Sequence, residues 1–501
     1  MDNRQKLVRL VSDVRLWSAY VLSTPLYRYQ QDIADYIVNM AGGNGSAGAV
    51  CVVEMPRQSG KNELSSHIES LLLSRYSSRG GALVKAAPTW TPQIVNSKMR
   101  LDLHLGSVAE KLPIVKGTKE GYIVTVGRAM IQFLSAKPTS SVVGATANVL
   151  MEIDEAQDVQ SSKYDKDFAP MRASRGCPVV FYGTTWTGDT LLEQQKAFLA
   201  EGGFGRYFRI SPERVMEENP AYSAFLEGEI RRLGREHPLI KTQYFLEPLA
   251  NKGLFLSEQQ VRLLAGEHAR RDRRTTEQWI VAGLDFAGAD ETVGMPLETT
   301  YQKRDSVALT IAMAEEVRLM AGLSAVRVRF LERYEWTNVP IASLHGVLFE
   351  ILEGRWQVDR LHCDATGIGE ASTSFLATAL RGRGDDRVGA IHFDGAWTTS
   401  TRLAFNYLML VNTGMIFDYR PDGFSVEDIG EMSEAPSSNV AQHAWYQRVK
   451  AKMTAKPGQR VKVFVDEKDG HDDLLMSELL CVDAAIRLLG GPDALGVAGV
   501  G

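Results

Sequence analysis

The stretch AVCVVEMPRQSGKNEL, residues 49–64, decides the reading of the first half of this 501-residue chain. Val50, Val52 and Val53 make a short β-branched run that stops at Pro56, and Arg57-Gln58-Ser59-Gly60-Lys61-Asn62 then opens a helical pattern. Strand, tight turn and helix N-terminus in that order build an anion site. Backbone N–H groups and the helix dipole hold phosphate oxygens, and a lysine neutralises the β and γ phosphates. The pattern is imperfect, because the usual motif has glycine where Met55 stands and Ser or Thr where Asn62 stands. Alone, the stretch fits either a nucleotide-phosphate loop or a plain strand–turn–helix connection.

Working outward, residues 14–40 read as helical around LYRYQQDIADYI, and Gly42, Gly43, Gly45 and Gly48 mark the turn into the strand. A helix over Glu63–Tyr76, a strand at 82–88 (ALVKAAP), a helix from Pro92 to Leu105 and a hairpin-like pair over 121–134 follow. The run NVLMEIDEAQD (148–158) is an apolar strand that delivers two adjacent carboxylates at its end. A phosphate loop requires that partner: Asp154 is expected to hold Mg²⁺ through water, and Glu155 to polarise the attacking water. An acidic residue directly after the Mg²⁺ aspartate points to hydrolysis, since binding alone needs no general base. The strand PVVFYGTTW (178–186) ends in Gly183-Thr184-Thr185, whose hydroxyls suit sensing of a γ-phosphate. Arg172 and Arg175 are arginine-finger candidates, as is Arg57.

Residues 200–260 show no regular α/β alternation and read as a lid or linker subdomain. EHARRDRRTTEQW (267–279) reads as a charged helical surface, solvated or in contact with a DNA backbone. From Trp279 the strand pattern restarts. WIVAGLDFAG carries Asp285, two strand runs (306–314, 325–336) and a helix (340–353) follow, and VDRLHCD (358–364) ends in Asp364. A helix, the strand VGAIHF (388–393) and a helix over 400–413 come next. Three strands, then helix–strand–helix–strand–helix, is the order of a ribonuclease-H-like fold. That fold expects one carboxylate mid-sheet, a second at the end of strand four and a third on a late helix. Asp285 and Asp364 fill the first two positions, and Gly470-His471-Asp472-Asp473 supplies the third, with Asp472 slightly preferred over Asp473. Carboxylates converging in one cleft require cations, here two Mg²⁺ or Mn²⁺, which activate water for attack on a phosphodiester. His471 either orients a carboxylate or simply starts the helix.

Length predicts more than one core. The expected fold class is α/β: an N-terminal P-loop (RecA/ASCE-like) ATPase core over 1–200, a lid or linker over 201–275, and a ribonuclease-H-like metal-dependent nuclease over 276–501. With 44% hydrophobic and 23% charged residues the chain has ordinary globular composition. The N-terminus, MDNRQKLVRL, lacks an apolar signal-type core, and no run approaches the ~20 apolar residues that span a bilayer. Four scattered cysteines fit reduced, buried thiols in an intracellular protein. The net charge of −5 excludes a uniformly basic nucleic-acid coat but leaves room for a local basic channel.

The series RYQQ, PRQSGKN, MEIDEAQ and YGTTW resembles the ATPase half of the large subunit of a tailed-bacteriophage terminase, the DNA-packaging motor. GLDFAG, HCDATGIGE and DGHDDLLMSELL resemble its nuclease motifs, in family order, so the resemblance runs from about Gln30 to about Leu480. That family often carries Arg-Gln before Ser-Gly-Lys, which accounts for Met55. The resemblance implies that Gln30 reads the adenine of ATP and that Arg57, Gln58, Ser59, Gly60, Lys61 and Asn62 surround its phosphates. It also implies that Gly183–Thr185 is the coupling motif. The family's HDDxxDA departs here to Met476 and Ser477, so the third metal ligand rests on Asp472 or Asp473. Asn62 replaces the commoner Ser/Thr, and its amide oxygen is a neutral Mg²⁺ donor. Implied partners are double-stranded DNA, a portal ring, a small terminase subunit and further copies of the chain. The implied location is the host cytoplasm, docked transiently on a procapsid, with no membrane. Two other readings stay open: a helicase–nuclease of repair or restriction type, and a nucleotide-gated DNA-binding protein with decayed sites.

Overall fold

The computed structural model describes residues 3–43, 46–114, 116–142, 144–249, 253–275, 278–286, 306–318, 324–337, 339–381, 386–421, 424, 439–456, 458–466 and 468–490. Gly45, together with Ala287 and Gly288 of GLDFAG, lies outside the described residues. The architecture is mixed α/β around two large sheets and one separate hairpin.

The first sheet comprises β1 (Val50–Glu54), β2 (Gly81–Ala87), β3 (Lys116–Lys119), β4 (Ile123–Val126), β5 (Ala129–Ser135), β6 (Leu150–Ile153), β7 (Val179–Gly183) and β8 (Gly205–Arg209). Its order is β3-β4-β5-β2-β6-β7-β1-β8; the last six strands run parallel, and β3 and β4 extend the edge antiparallel. A parallel sheet is covered on both faces, so its strands read as continuous apolar runs. In β1, Cys51 and Val53 enter the core beneath the helices Arg28–Ala41, Lys61–Tyr76 and Val95–Lys111, while Val50 and Val52 enter the opposite core. One strand, β7, separates the loop-bearing β1 from β6.

The second sheet comprises β9 (Trp279–Asp285), β10 (Ser306–Arg318), β11 (Ser324–Thr337), β12 (Arg360–Asp364), β13 (Val388–Ile391) and β14 (Ile416–Phe417), in the order β13-β12-β9-β10-β11-β14. β9 is central, antiparallel to β10 and parallel to β12. Ile280, Ala282 and Leu284 enter one core, and Val281 enters the other beneath the Asp473–Leu489 helix. The hairpin pairs β15 (Lys452–Lys456) with β16 (Arg460–Phe464) and docks on the Thr398–Asn412 helix, where Val461 N–H donates to Thr401 Oγ1 at 2.9 Å.

Three expectations change. The helix expected over 14–40 is broken at 22–27, because Pro25 lacks an N–H and forces the preceding residue out of the helical region. The parallel sheet runs past residue 200, since β8 pairs with β1 inside the stretch expected as linker. Residues 267–275 of the arginine-rich 267–279 stretch are not helical; Arg271 N–H donates to Leu331 O of the second sheet at 3.1 Å and Arg274 N–H to Arg355 O at 3.2 Å. Arg270 there pairs with Glu332 at 2.8 Å and Arg274 with Asp359 at 3.1 Å. All four cysteines are buried and unpaired. No helix among the described residues is long and apolar enough to cross a membrane.

Candidate functional site

Parallel strands aim their C-terminal ends at one edge, and residues 55–62 occupy that edge of the first sheet. The helix begins at Lys61, so Lys61 and Asn62 lie in its first turn. Gln58 (φ 64°) and Gly60 (φ 90°) take left-handed backbone that winds the loop around its own N–H groups. Gly60's φ favours glycine, and a Cβ there would sit 2.7 Å from Gln30 Nε2 and push that amide aside. Gln30 caps its own helix through Tyr27 N–H (3.0 Å) and donates to Gly60 O (3.2 Å), while Tyr29 Oη donates to Ser59 O at 3.0 Å. Lys61 Nζ folds back on the loop, 3.0 Å from Met55 O and 3.4 Å from Pro56 O. Arg57 is held to Gln243, Nη1 to Oε1 at 2.6 Å and N to O at 2.7 Å.

The loop faces a cleft of about 1520 Å³, whose walls include Arg57, Lys61, Glu155, Gln157 and Thr184. Asp154 directly follows β6 and is buried; burial, then Glu155's charge, push its carboxyl up to about 6, against the pull of Lys85 and Lys61. Glu155 has φ 47°, a strained conformation that turns it out of the strand into the cleft. Gln157, which the sequence reading left without a role, donates to Glu155 Oε2 at 2.7 Å and accepts from Thr184 N–H at 3.2 Å. A Cβ on Gly183 would lie 2.4 Å from Gln157 Oε1, so that glycine makes room for the bridge. Lys85, the lone charge in ALVKAAP, was also missed. It is buried beside Glu152 in register, with Nζ 2.8 Å from Glu69 Oε1. A lysine inside an otherwise apolar strand was the available signal.

Thr185 donates to the fully buried Glu54, which also accepts from Tyr207 Oη and from Lys196 Nζ at 3.2 Å. Arg209, 3.5 Å from Glu54, reaches Leu246 O at 3.0 Å, and Leu249 N–H donates to Trp186 O at 3.1 Å. The strand end at 183–186 is therefore hydrogen-bonded to the segment that leads toward the second sheet. A second connection comes from the β15–β16 hairpin. Its turn residues Gly458 and Gln459 line the cleft: Gly458 N–H donates to Asp158 Oδ1 at 2.9 Å, and Gln459 accepts from Gln243. Arg172 and Arg175 do not join the cleft. Arg172 Nη2 donates to Gly48 O (2.9 Å) just before β1, and Gly48 N–H donates to Gly176 O, so both arginines flank the N-terminal edge of the sheet. A five-residue strand is about 17 Å long, too far for either to reach phosphates on its own chain's loop.

At the second sheet, register brings the expected carboxylates together. Cys363 pairs with Leu284 on the parallel β12–β9 ladder, so Asp364 and Asp285 are the next pair and share a face. The Asp473–Leu489 helix crosses that face. A Cβ on Gly283 would collide with Ser477 O (2.0 Å) and Cys481 N (2.3 Å), and Cys481 Sγ lies 3.6 Å from Val281 O. Stepping from Cys481 to Ser477 to Asp473 advances about 6 Å per step, close to the ~6.6 Å from 281 to 283 to 285. Asp473 therefore sits level with Asp285. Asp473 Oδ2 accepts from Ser306 N–H at 2.7 Å. Asp472 and His471 precede the helix. Asp364 is half-buried, and burial raises its carboxyl against the lowering effect of Thr366 and His392. Ser477, on the same helix, meets Thr310 Oγ1 at 2.6 Å.

A further set of possible metal ligands was not foreseen. Glu63, His67 and His104 bring one ligand atom each within 4.8 Å of one another. They belong to the helices Lys61–Tyr76 and Val95–Lys111, apart from Asp154 and from the carboxylates of the second sheet.

No family model and no curated protein matches the chain. Among solved structures, the chain is similar to the HK97 bacteriophage large terminase (12% identity, TM-score 0.39, covering 95% of this chain and 99% of that one). It is likewise similar to the large terminase of a thermophilic bacteriophage (11% identity, TM-score 0.45, covering 93% and 100%). The large terminase nuclease of thermophilic phage G20c, with bound magnesium, covers 46% of the chain and 98% of its own (13% identity, TM-score 0.30). At these identities and scores, the assignment of function rests on the chain's own residues and topology.

Proposed function

We propose that this chain is a large terminase subunit, which uses ATP hydrolysis to drive double-stranded DNA into a procapsid and cuts the DNA with a metal-dependent endonuclease. The observation that carries the proposal is that one chain holds both a phosphate-loop cleft and a carboxylate cluster, each at the C-terminal ends of parallel strands. In this reading the first sheet is a RecA/ASCE-like ATPase core, with a strand between those bearing Lys61 and Glu155. The second sheet is a ribonuclease-H-like nuclease.

The residues fit an ATP·Mg²⁺ guest. Lys61, held by its own loop carbonyls, can swing onto β and γ phosphates. Gln30 and the paired Tyr27 and Tyr29 rings (centroids 5.4 Å apart) border a small cavity of about 230 Å³ beside Gly60, suited to the base. Asn62 and Asp154 would hold Mg²⁺, which offsets phosphate charge when bound. Glu155 orients the attacking water and takes its proton. Loss of the γ-phosphate changes what Glu155 faces, and Gln157 carries that change to Thr184 and Thr185. Arg57, tied to Gln243, is the remaining arginine-finger candidate.

The donor set of the second sheet is all oxygen, which suits Mg²⁺ or Mn²⁺. Asp285, Asp364 and Asp473 would hold two such ions, whose chemistry is activation of water for phosphodiester cleavage. Asp473, level with Asp285, is the third ligand in preference to Asp472, which the sequence alone slightly favours. The portal, a small subunit and further copies of the chain are the partners expected for this activity.

A packaging assay tests the reading directly. Portal-bearing procapsids, ATP and this protein should protect DNA from added DNase, and the Lys61→Ala variant should not. Retained plasmid nicking in Mn²⁺ by Asp364→Ala would exclude the carboxylate cluster as the nuclease.

A further inference from the structure

We propose that Glu63, His67 and His104 form a binding site for one transition-metal ion of the zinc class, distinct from the phosphate loop and from the nuclease carboxylates, at the wall of the cavity that the proposed function gives to the base. Glu63 and His67 are four residues apart on the Lys61–Tyr76 helix, so both face the same side, and His104 comes from the neighbouring Val95–Lys111 helix. Glu63 Oε1 lies 3.1 Å from His67 Nε2 and 2.9 Å from His104 Nε2. Ligand atoms about 2.0–2.1 Å from a tetrahedral ion stand about 3.3 Å apart. Glu63 Oε1 therefore needs to move only a few tenths of an ångström from each imidazole nitrogen, and all three ligand atoms already lie within 4.8 Å of one another.

The hydrogen bonds around His67 favour an ion there over a closed network. Ser18 Oγ donates to Val14 O at 2.7 Å, which commits its hydrogen, and lies 2.8 Å from His67 Nδ1. Nδ1 must therefore be the N–H donor, and in a neutral ring Nε2 is then a bare lone pair. That lone pair faces Glu63 Oε1, another acceptor, at 3.1 Å. Thr24 Oγ1, 3.3 Å from Nε2, does not separate the two acceptors. His67 is 1% exposed and His104 7%. In such a place a positive centre between Nε2 and Oε1 relieves the conflict, and a metal ion does so without a charged imidazole. The Nδ1–Ser18 contact is the outer-shell hydrogen bond that ligating histidines make, fixing the ring's tautomer and direction. Two imidazoles and a carboxylate select zinc-like ions over Mg²⁺. Glu63 and His67 also line the ~230 Å³ cavity beside Gly60, which gives the ion a route in and leaves room for a water as fourth ligand. A bound ion would pin the first turn of the helix that opens the phosphate loop to its neighbour.

The test uses the full chain, stripped with chelator and held in excess Mg²⁺ to occupy the all-oxygen sites. Co²⁺ titration should give one equivalent with the intense visible absorption of a four- or five-coordinate site, and Zn²⁺ should displace it. Absence of that absorption in the unaltered protein overturns the proposal, with no variant needed. His104→Gln and Glu63→Gln, checked for folding by their melting curves, should each weaken Zn²⁺ binding by at least about tenfold, whereas Asp364→Ala should not. Equal Zn²⁺ affinity in the folded His104→Gln and Glu63→Gln proteins would equally overturn it.

Discussion

The two sheets hold their chemical groups by different means. At the first, side-chain amides brace the cleft: Gln30 ties a helix to Gly60, Gln243 holds Arg57, and Gln157 joins Glu155 to Thr184. At the second, Asp285 and Asp364 come together through strand register, and Asp473 through the contact of its helix with Gly283. The difference follows from the proposed guests. A triphosphate is bound by N–H groups of an irregular loop, whose backbone must be fixed by something other than a ladder. Divalent cations need only oxygens at strand and helix ends, and a sheet sets those positions without further support. Between the second sheet and its helices the protein also places fully buried ion pairs, Arg333 and Arg448 with Asp418 and Glu478. Removing one partner of such a group leaves a buried charge uncompensated.

Glu155 is where the two sheets should differ most in their response to substitution. Glu155→Gln should lower ATP turnover by about 10²–10⁴-fold while ATP still binds; turnover within a few-fold of the unaltered protein would mean that another residue is the base. Asp473→Ala should abolish Mn²⁺-dependent nicking and Asp472→Ala should leave most of it, as measured on supercoiled plasmid. The reverse result would show that helix register does not select the ligand. Gly283→Ala forces a Cβ into the helix backbone and should cost about 1–3 kcal/mol, read as a lower denaturation midpoint, with nicking falling more than ATP turnover. Gln157→Ala should reduce DNA-stimulated ATP turnover by about tenfold, roughly 1.4 kcal/mol, with little change in ATP affinity; weakened affinity instead would make Gln157 a binding residue.

The smallest effect concerns Asp158, which touches the hairpin turn at Gly458. Burial, then Glu155's charge, push its carboxyl up from 3.8 to about 7, against the lowering effect of the Gly458 and Gln459 N–H groups and Arg57. Between those values the folded chain keeps a proton that the unfolded chain has released. Stability therefore falls as pH rises through this window and levels off above it. Asp158→Asn should flatten that part of a melting-temperature profile, and an unchanged slope would assign it to other groups.

Sequence alone determined the elements that local chemistry dictates. PRQSGKN had to be a loop between strand and helix, MEIDE had to end a strand in carboxylates, and WIVAGLD and VDRLHCD had to be strands ending in aspartate. Period, β-branching and charge position are written residue by residue. Tertiary structure decided whatever depends on which segments meet. Arg172 and Arg175 looked equivalent to any other arginine until the parallel sheet put them at its N-terminal edge. Asp472 and Asp473 are adjacent in the sequence, but Asp473 opens the helix and Asp472 precedes it, and only the packing of that helix on Gly283 separates them. Gln157, Lys85 and the Gly458–Gln459 turn gain their roles from partners 16 to 300 residues away. The chain writes such distant pairings nowhere locally, because they are fixed by sheet order and by how two cores close against each other.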